Sequence, residues 1–222
     1  MEVFESRIWG DSRFVLIRNE CNGGLRVALN ACLRVARADY VVRQDSDDFS
    51  RKDRLQILYD YVQAHPSLDV VGTAMVSFDE TGERGTLHPK WENPCKKNFL
   101  YGSVVAHAST IMKKSSIEEF GGYRVSWETI RCEDYDLYMR MYAKGMTLRN
   151  IDDGLYYVRQ DRNSFMRRKF RNRVKEAVVR FKGFNTLRMP IYGYCFVFKP
   201  LVVGLIPASI LSKIKRILMK LQ

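Results

Sequence analysis

The 222-residue sequence has few cysteines, and its five are not arranged in a recognisable pattern. No two are spaced as Cys-x-x-Cys and their number is odd, so the sequence indicates neither a disulfide framework nor a zinc site. An apolar run behind a positively charged start is also missing from the N-terminus, so no secretory signal is predicted. These absences favour a reducing compartment and a cytoplasmic location.

Acidic residues are scarce in the last part of the sequence. Residues 159–222 contain 16 lysines and arginines against 2 acids, whereas residues 1–158 contain 21 against 23. The formal net charge of +12 therefore belongs to one segment of the chain. A basic segment of this kind indicates an anionic partner such as lipid head groups or nucleic acid.

Apolar residues make up 46% of the sequence and aromatic residues 12%, which is enough for a sizeable core and too much for a disordered chain. Short apolar runs alternate with segments of helical periodicity, which predicts an α/β fold with mostly parallel strands and flanking helices. We expect a main domain at residues 1–160 and a basic helical tail at residues 161–222. The predicted elements are strand Phe14–Ile17, a helix after Gly24, strand Tyr40–Val42, a helix from Arg51 to Pro66, strand Val70–Phe78, a strand within Ser103–Met112, a helix from Glu133 to Gly145, and edge strands Thr147–Asn150 and Leu155–Arg159.

Three carboxylates follow the predicted strand Tyr40–Val42 within four residues, in the order Asp45-Ser46-Asp47-Asp48. Like charges at this spacing repel one another, and a divalent cation would relieve the repulsion. Carboxylate oxygens suit Mg²⁺ or Mn²⁺, and Mg²⁺ commonly bridges one or two carboxylates to substrate phosphates. The alternative is a structural turn in which Asp48 or Ser50 caps the helix that starts near Arg51.

A second acid cluster, Glu133-Asp134 with Asp136, opens a predicted helix. The side chain of Asp134 lies over the apolar face of that helix, where an acid costs free energy unless it is paired or used. A carboxylate that faces a pocket holding a phosphorylated donor suits a general base for a hydroxyl nucleophile. The alternative is that acids in a first helical turn simply interact favourably with the helix dipole.

The two acid clusters and their surroundings resemble those of the family 2 glycosyltransferases, which are inverting enzymes of the GT-A fold that use nucleotide sugars. The similarity can be followed from about Val15 to Ser164, with several motifs in the family's order. The matching segments are Asn22-Gly23-Gly24-Leu25 with Ala28-Leu29-Asn30, Val41 to Asp48, Arg51 to Gln56, His107 to Met112, Gly121 to Arg124, Glu133 to Leu137, and Asn150-Ile151 through Tyr157 and Arg159 to Ser164.

The resemblance implies a role for each acid cluster. Asp45 and Asp47 would hold Mg²⁺ or Mn²⁺ on the donor diphosphate, and Asp134 would be the catalytic base with Glu133 beside it. For His107, a packed core residue is the alternative to a site role. Contacts to the donor or its diphosphate are implied for Asp45, Asp48, Asn22, Gly24, Arg159 and His107.

One part of the family pattern is missing. The family normally begins with two strands that carry P-x-Y-N and D-D-G-S motifs and supply most of the nucleoside pocket, and neither motif occurs before Asn22. We therefore expect these strands to be absent. The leading hypothesis is a hexosyltransferase that acts on a glycan or a lipid-linked acceptor in surface polysaccharide synthesis. The alternative is a non-catalytic remnant that binds a membrane or a partner. A nucleic-acid partner is not expected, because it would explain neither acid cluster.

The basic tail predicts attachment to the inner face of a bacterial membrane. Residues 163–182 predict a cationic helix with one apolar side, formed by Phe165, Phe170, Val174, Ala177, Val178 and Phe181. The segment Ile191–Leu211 is interrupted by Lys199, Pro200 and Pro207, which favours a position in the interface over a membrane span. Leu211 to Leu221 predict an interfacial amphipathic helix. The alternative is a docked helical arm with a solvated basic face.

Overall fold

A mixed six-stranded sheet forms the centre of the computed structural model, which describes residues 11–160 and 170–205. The strands are β1 (Tyr40–Val42), β2 (Phe49–Ser50), β3 (Val70–Asp79), β4 (Gly82–Leu87), β5 (Ile111–Lys113) and β6 (Leu148–Arg159). Their hydrogen-bonded order is β1-β5-β3-β6-β2, and β4 pairs with β3 outside this path.

Six α-helices and three short 3₁₀ turns are found in the described residues. The helices are α1 (Leu25–Val35), α2 (Arg54–Ala64), α3 (Lys114–Glu118), α4 (Glu133–Ala143), α5 (Phe170–Thr186) and α6 (Lys199–Leu205), and the 3₁₀ turns are Lys96–Leu100, His107–Ser109 and Ile191–Val197. The predicted α/β class is therefore confirmed.

The expected parallel sheet is wrong in its strand directions. Of the five pairings between described strands, only β3 with β6 is parallel. Parallel neighbours need a long crossover connection, whereas β4 follows β3 after a tight turn and can pair only in the antiparallel sense. The long connection between β3 and β6 contains the 3₁₀ turn His107–Ser109, strand β5 and helix α4.

Strand β6 is one continuous strand, although two edge strands are predicted from the sequence. It lies between β3 and β2, and its pairing with β3 shifts between Ile151 and Gly154. In the sequence, the two acids Asp152 and Asp153 indicate a turn. In the structure they are exposed and lie in an irregularity within the strand. Only the tertiary pairing distinguishes such a bulge from a turn.

The predicted strand Phe14–Ile17 is wrong. This segment has no regular structure, and Phe14, Val15 and Leu16 are exposed. An apolar run becomes a buried strand only when a neighbour satisfies its backbone, and no described strand pairs with it.

An open apolar groove of about 270 Å³ lies beside α1 and β1, and it is lined by Leu29, Cys32, Val41, Met112 and Tyr123 among others.

The strand predicted within Ser103–Met112 is mostly wrong as well. Only β5 forms, because the preceding residues His107–Ser109 turn into a 3₁₀ helix. The Ser109 hydroxyl holds this turn: it lies 2.9 Å from the Ala106 carbonyl oxygen within the turn, and it accepts a hydrogen bond from the Thr73 amide of β3 at 3.1 Å. Side-chain bonds to the backbone of this kind compete with regular strand pairing.

Helix α5 packs into the main core, and the apolar side predicted for it is only partly correct. Ala177 is buried as predicted, but Phe170, Val174 and Phe181 are exposed, and Val179 and Phe184 are buried with residues of α4 instead. The close approach requires a glycine, because a Cβ at Gly183 would lie 2.2 Å from the Met139 side chain. The division of the chain into a main domain and a tail after residue 160 stays a prediction. The buried apolar side chains after residue 169, among the described residues, include Ala177, Val179, Phe184, Leu187, Met189 and Val197.

Two of the tail predictions concern residues that the structure does not describe. Phe165 and the amphipathic segment Leu211 to Leu221 lie outside the described residues. Of the described helices, none combines the length and the hydropathy needed to cross a bilayer.

Candidate functional site

The first acid cluster forms a turn between β1 and β2, called the acid turn (Asp45-Ser46-Asp47-Asp48). Its ends are joined by a hydrogen bond from the Asp48 amide to the Asp45 carbonyl oxygen at 3.3 Å. Tyr156 on β6 holds both ends: its hydroxyl accepts from the Asp45 amide at 3.1 Å and donates to the Asp48 carboxylate at 2.8 Å. The acid turn is therefore fastened to the central sheet.

Asp48 also connects the acid turn to Arg159. The Arg159 amide donates to the Asp48 carboxylate at 2.7 Å, and the Arg159 guanidinium donates to the Asp47 carbonyl oxygen at 3.2 Å. The predicted capping role of Asp48 or Ser50 is wrong, because α2 begins after Asp53 and no side chain caps it. The Asp48 carboxylate instead accepts hydrogen bonds from two residues of β6, Tyr156 and Arg159.

Asp45 forms a two-pronged ion pair with Arg43. The Arg43 Nε and Nη2 atoms donate to the two Asp45 carboxylate oxygens at 2.7 and 2.6 Å. The Arg43 side chain is only 16% exposed, so water screens this pair weakly. Part of the charge repulsion within the acid turn is therefore relieved by an arginine of the chain itself.

Asp47 is the open acid of the turn. It is exposed, and its carboxylate accepts no hydrogen bond from the residues that the structure describes. No cluster of three or more histidine, cysteine or acidic side chains suited to a metal is found in the same residues. A Mg²⁺ or Mn²⁺ ion bound by one or two carboxylates and by substrate phosphates would nevertheless fit this donor set.

His107 lies beneath the acid turn, with both ring nitrogens engaged. Nδ1 faces Arg43 Nη1 at 2.8 Å, and Nε2 lies 2.7 Å from the Tyr123 hydroxyl. Burial, with the Arg43 charge beside it, lowers the pKa of His107 to about 3. The ring is therefore neutral at ordinary pH, accepts from Arg43 at Nδ1 and donates from Nε2 to Tyr123. The predicted contact of His107 with the nucleotide-sugar donor would require one of these two hydrogen bonds to break.

Tyr123 links this network to α1. The Asn30 side chain donates to the Tyr123 carbonyl oxygen at 2.7 Å and accepts from its amide at 2.8 Å. The preceding Gly122 has φ +78°, and a Cβ there would lie 2.5 Å from the Asn30 amide oxygen. Glycine is required at this position both by conformation and by space.

The second acid cluster, called the helix start (Glu133 to Asp136), opens α4. Burial raises the pKa of Asp134, and the Tyr135 amide and the Ser103 hydroxyl oppose this shift. Burial likewise raises the pKa of Glu133. A carboxylate whose pKa is raised by burial is suited to accept a proton.

Asp136 has a different role from its neighbours. It is buried between Arg124 and Arg140, whose nitrogens lie 2.5 and 2.9 Å from its two oxygens. Arg140 also donates to the carbonyl oxygens of Phe120 and Gly122 at 3.1 and 3.0 Å. Asp136 therefore holds the turn before α4 in place.

The positive charge of Arg43 affects both acid clusters. Its positive charge interacts with both Asp45 and Asp134, and it lowers the pKa of Asp134 against the larger effect of burial. Asn22 and Gly24 are not joined to either cluster by a hydrogen bond between described residues. Instead, the Asn22 side chain accepts from the Gly24 amide at 3.0 Å just before α1.

Three residues of the site were not anticipated from the sequence: Arg43, Tyr156 and Arg54. Arg54 is 1% exposed, lies 4.6 Å over the Tyr156 ring and donates to the carbonyl oxygens of Arg43 and Ala108. Burial lowers the pKa of Arg54 to about 10. Arg43 had a signal in the sequence, since a charge that ends an apolar strand two residues before an acid indicates a counter-ion.

Comparison with known proteins gives a consistent set of relatives. The family model described as Glycosyl transferase family 2 matches residues 2–121. A Bacillus subtilis (strain 168) protein named as the glycosyltransferase EpsE is 34% identical over 202 residues, which are 90% of this chain and 72% of EpsE. The amylovoran biosynthesis glycosyltransferase AmsE of Erwinia amylovora is 29% identical over 74% of this chain and 61% of its own length.

Solved structures share the fold. TarS of S. aureus (residues 1–349) in complex with UDP-GlcNAc superposes with a TM-score of 0.63 at 16% identity, covering 92% of this chain and 58% of TarS. The mannosyltransferase PcManGT of Pyrobaculum calidifontis, in complex with GDP-Man and Mn²⁺, gives 0.58 at 14% identity over 98% of this chain and 66% of its own. The chain thus spans part of the length of these relatives.

Proposed function

Because the chain belongs to glycosyl transferase family 2 and has the GT-A fold, we propose that it transfers a sugar from a nucleotide-diphosphate donor to an acceptor hydroxyl with inversion. The observation that carries the proposal is that His107 connects the two acid clusters: it contacts Arg43, the partner of Asp45, and its ring lies 6.1 Å from the Tyr138 ring on α4, one turn after Asp134. An exposed acid for the diphosphate side and a buried acid for the hydroxyl side are the two groups that such a transfer needs.

Asp134 is the proposed base. It would take the proton of the acceptor hydroxyl while that oxygen bonds to the anomeric carbon and the bond from that carbon to the diphosphate breaks. The raised pKa of Asp134 supports this role, because a more basic carboxylate is a better proton acceptor. Glu133, whose pKa is raised by the same cause, is the neighbouring supporting residue.

Asp47, with Asp45, is the proposed ligand set for Mg²⁺ or Mn²⁺. Asp47 is supported by its exposure and by its free carboxylate oxygens among the described residues. A bound cation would neutralise charge that develops on the leaving diphosphate. Asp48 and Arg159 support the proposed donor contacts indirectly, because they hold the backbone of the acid turn.

The proposed acceptor is a lipid-linked or free glycan in surface polysaccharide synthesis. One relative, 28% identical over 67% of this chain, is the Escherichia coli UDP-Gal:alpha-D-GlcNAc-diphosphoundecaprenol beta-1,3-galactosyltransferase. Its name supplies a practical acceptor, GlcNAc-diphosphoundecaprenol. The sugar and the nucleotide of this chain are to be found by assay.

The test is a transfer assay with purified chain, Mn²⁺, GlcNAc-diphosphoundecaprenol and labelled UDP-Gal, UDP-Glc, UDP-GlcNAc and GDP-Man in turn. We expect label in the lipid extract with at least one donor and its loss in Asp134→Asn, which keeps donor binding by calorimetry. Asp60→Asn is the matched control, because Asp60 is an exposed acid on α2 that bonds only Gln56.

Two results would contradict this proposal. Donor binding without transfer to any glycan acceptor, in wild type as in Asp134→Asn, would support the non-catalytic remnant instead. Transfer that survives Asp134→Asn unchanged would remove Asp134 from the chemistry.

A membrane surface is the proposed site of action. Apolar side chains after α5 face outward, with Ile191 86% exposed and Leu205 76% exposed, and Phe198 and Val202 are exposed beside them. Basic residues 159–222 give this end of the chain its positive charge. Apolar side chains and cations together favour an anionic lipid surface, to which each basic residue contributes about 1 kcal/mol.

Vesicle flotation tests the membrane proposal. The chain should float with phosphatidylglycerol-containing vesicles at low salt, bind less at about 1 M salt where the Debye length is about 3 Å, and lose binding in Ile191→Ser/Phe198→Ser. Leu55→Ser is the matched control, since Leu55 is an equally exposed apolar residue on α2. Equal flotation of all variants would contradict the proposal.

A further inference from the structure

Arg43 is paired with an acid of the acid turn, and the proposed transfer assigns it no chemical step. It satisfies both oxygens of Asp45, at 2.6 and 2.7 Å, and its third nitrogen is held by His107 at 2.8 Å. All three directions of the guanidinium are therefore engaged within the protein. A planar fork that matches a carboxylate with two parallel bonds is the strong form of such a pair.

The partner of Arg43 on the other side is equally fixed. The neutral His107 ring is anchored by Tyr123, which is 3% exposed and is bound through its backbone to Asn30 of α1. Arg43 therefore does not swing freely like a surface arginine. It is aimed at Asp45 by a chain of buried hydrogen bonds that reaches from α1 to the acid turn.

We propose that Arg43 is a positioning residue that occupies the Asp45 carboxylate and so competes with a divalent cation for it, leaving Asp47 as the acid that holds the cation first. The reason is electrostatic: a guanidinium in contact with Asp45 both blocks its oxygens and repels a second cation nearby. The inference rests on the proposed role of Asp47. It adds that the positively charged side chain of Arg43 already binds Asp45, an acid that the sequence alone predicts to be a metal ligand.

The test is the affinity for Mn²⁺ alone, measured by calorimetry on the full chain without nucleotide. Arg43→Met frees Asp45 and removes a charge, so we expect Mn²⁺ to bind about tenfold more tightly or better. A merely structural role would move the affinity in the opposite direction, because a loosened turn binds a cation less well. Arg43→Gln, which keeps a hydrogen-bond donor for His107, serves if the Met variant does not fold.

Two further variants test whether the effect depends on the pair between Arg43 and Asp45. Arg43→Met/Asp45→Asn removes the pair as a whole, and its affinity should return to within about threefold of wild type. Arg51→Met is the matched control, because Arg51 makes the same two-pronged pair with Asp53 two residues later, at 2.6 and 3.0 Å, on the exposed surface. Its Mn²⁺ affinity should not change.

The outcomes are distinguishable. Unchanged or weaker Mn²⁺ binding in Arg43→Met and Arg43→Gln, while Asp47→Ala abolishes binding, would overturn the role of Arg43 and leave the proposed function intact. Binding that persists in Asp47→Ala would overturn the metal assignment of the proposed function. Absence of Mn²⁺ binding in wild type and in both Arg43 variants would overturn both.

Discussion

The acid turn and the helix start each contain three carboxylates, but the protein satisfies them in different ways. In the acid turn, hydrogen bonds from Arg43, Tyr156 and the Arg159 amide engage two acids, and the third, Asp47, is exposed. In the helix start, Arg124 and Arg140 engage only Asp136, and the other two acids are partly or largely buried without an ion pair to a described residue.

This difference separates two kinds of chemistry. An exposed carboxylate on a turn that is fastened at both ends can meet a cation without a large desolvation cost. A carboxylate whose pKa is raised by burial is better suited to take up a proton. In the acid turn two of the three acids maintain the structure and Asp47 is left for the reaction, whereas in the helix start only Asp136 maintains the structure and two acids are left.

The largest expected effect distinguishes the two unpaired acids of the helix start. Asp134→Asn should lower kcat/KM about 10²- to 10⁴-fold, because the amide cannot accept the acceptor's proton. Glu133→Gln should lower it less than about tenfold, since a supporting acid affects the base only through its charge. Steady-state transfer kinetics on both variants check this. A larger loss in Glu133→Gln would exchange the two roles.

The second prediction concerns the paired acid of the same cluster. Asp136→Asn removes the buried acid that Arg124 and Arg140 share, while Arg124 keeps Glu128 at 3.6 Å, so we expect a loss of about 2 to 3 kcal/mol in the free energy of unfolding. The value lies toward the low end for buried pairs because both arginines keep some contact with water. Urea unfolding measures it. Glu118→Gln, which breaks an exposed pair with Lys114, is the control and should cost under about 0.5 kcal/mol.

The third prediction tests how the acid turn is held. Tyr156→Phe removes the hydroxyl that joins Asp45 and Asp48, and should cost about 1 kcal/mol in the free energy of unfolding. Mn²⁺ affinity should fall as well, because the turn loses its fixed shape. Tyr157→Phe, at the next position of β6, is the control for loss of a hydroxyl. An equal effect of both variants would show that Tyr156 does not fasten the turn.

The smallest expected effect is a pH dependence with a defined sign. Because burial raises the pKa of Asp134, the folded chain binds more protons than the unfolded chain between the ordinary carboxyl pKa of about 4 and the raised value. Stability is therefore lost as the pH rises through this window. Asp134→Asn should be more stable than wild type at neutral pH, and this advantage should disappear below about pH 4.

Unfolding midpoints at the two pH values, with Asp60→Asn as control, check the sign. An advantage of Asp134→Asn that is the same at both values would show that its cause is not the ionisation of Asp134.

Much of the α/β alternation could be read from the sequence, because helical periodicity and apolar runs are local signals. The helix after Gly24, the strand from Val70 and the helix opened by Glu133 appear where the patterns predict them. Strand directions and the continuity of β6 could not be read in this way, since pairing depends on residues far apart in the chain. The buried side of α5 was predicted only in part, at Ala177, because the close packing of Gly183 on Met139 across two helices determines the rest.

The acid positions and their order along the chain needed no structure, because a run of carboxylates after a strand or at a helix start is visible as local chemistry. Which acid is free and which is occupied is a property of the tertiary structure alone. Asp48 is bonded to Tyr156, 108 residues away on β6, and Asp136 to Arg124, 12 residues earlier in the turn that precedes α4. Hydrogen bonds between such distant groups form only once the sheet and α4 have packed, so the packed fold determines which carboxylates remain available for chemistry.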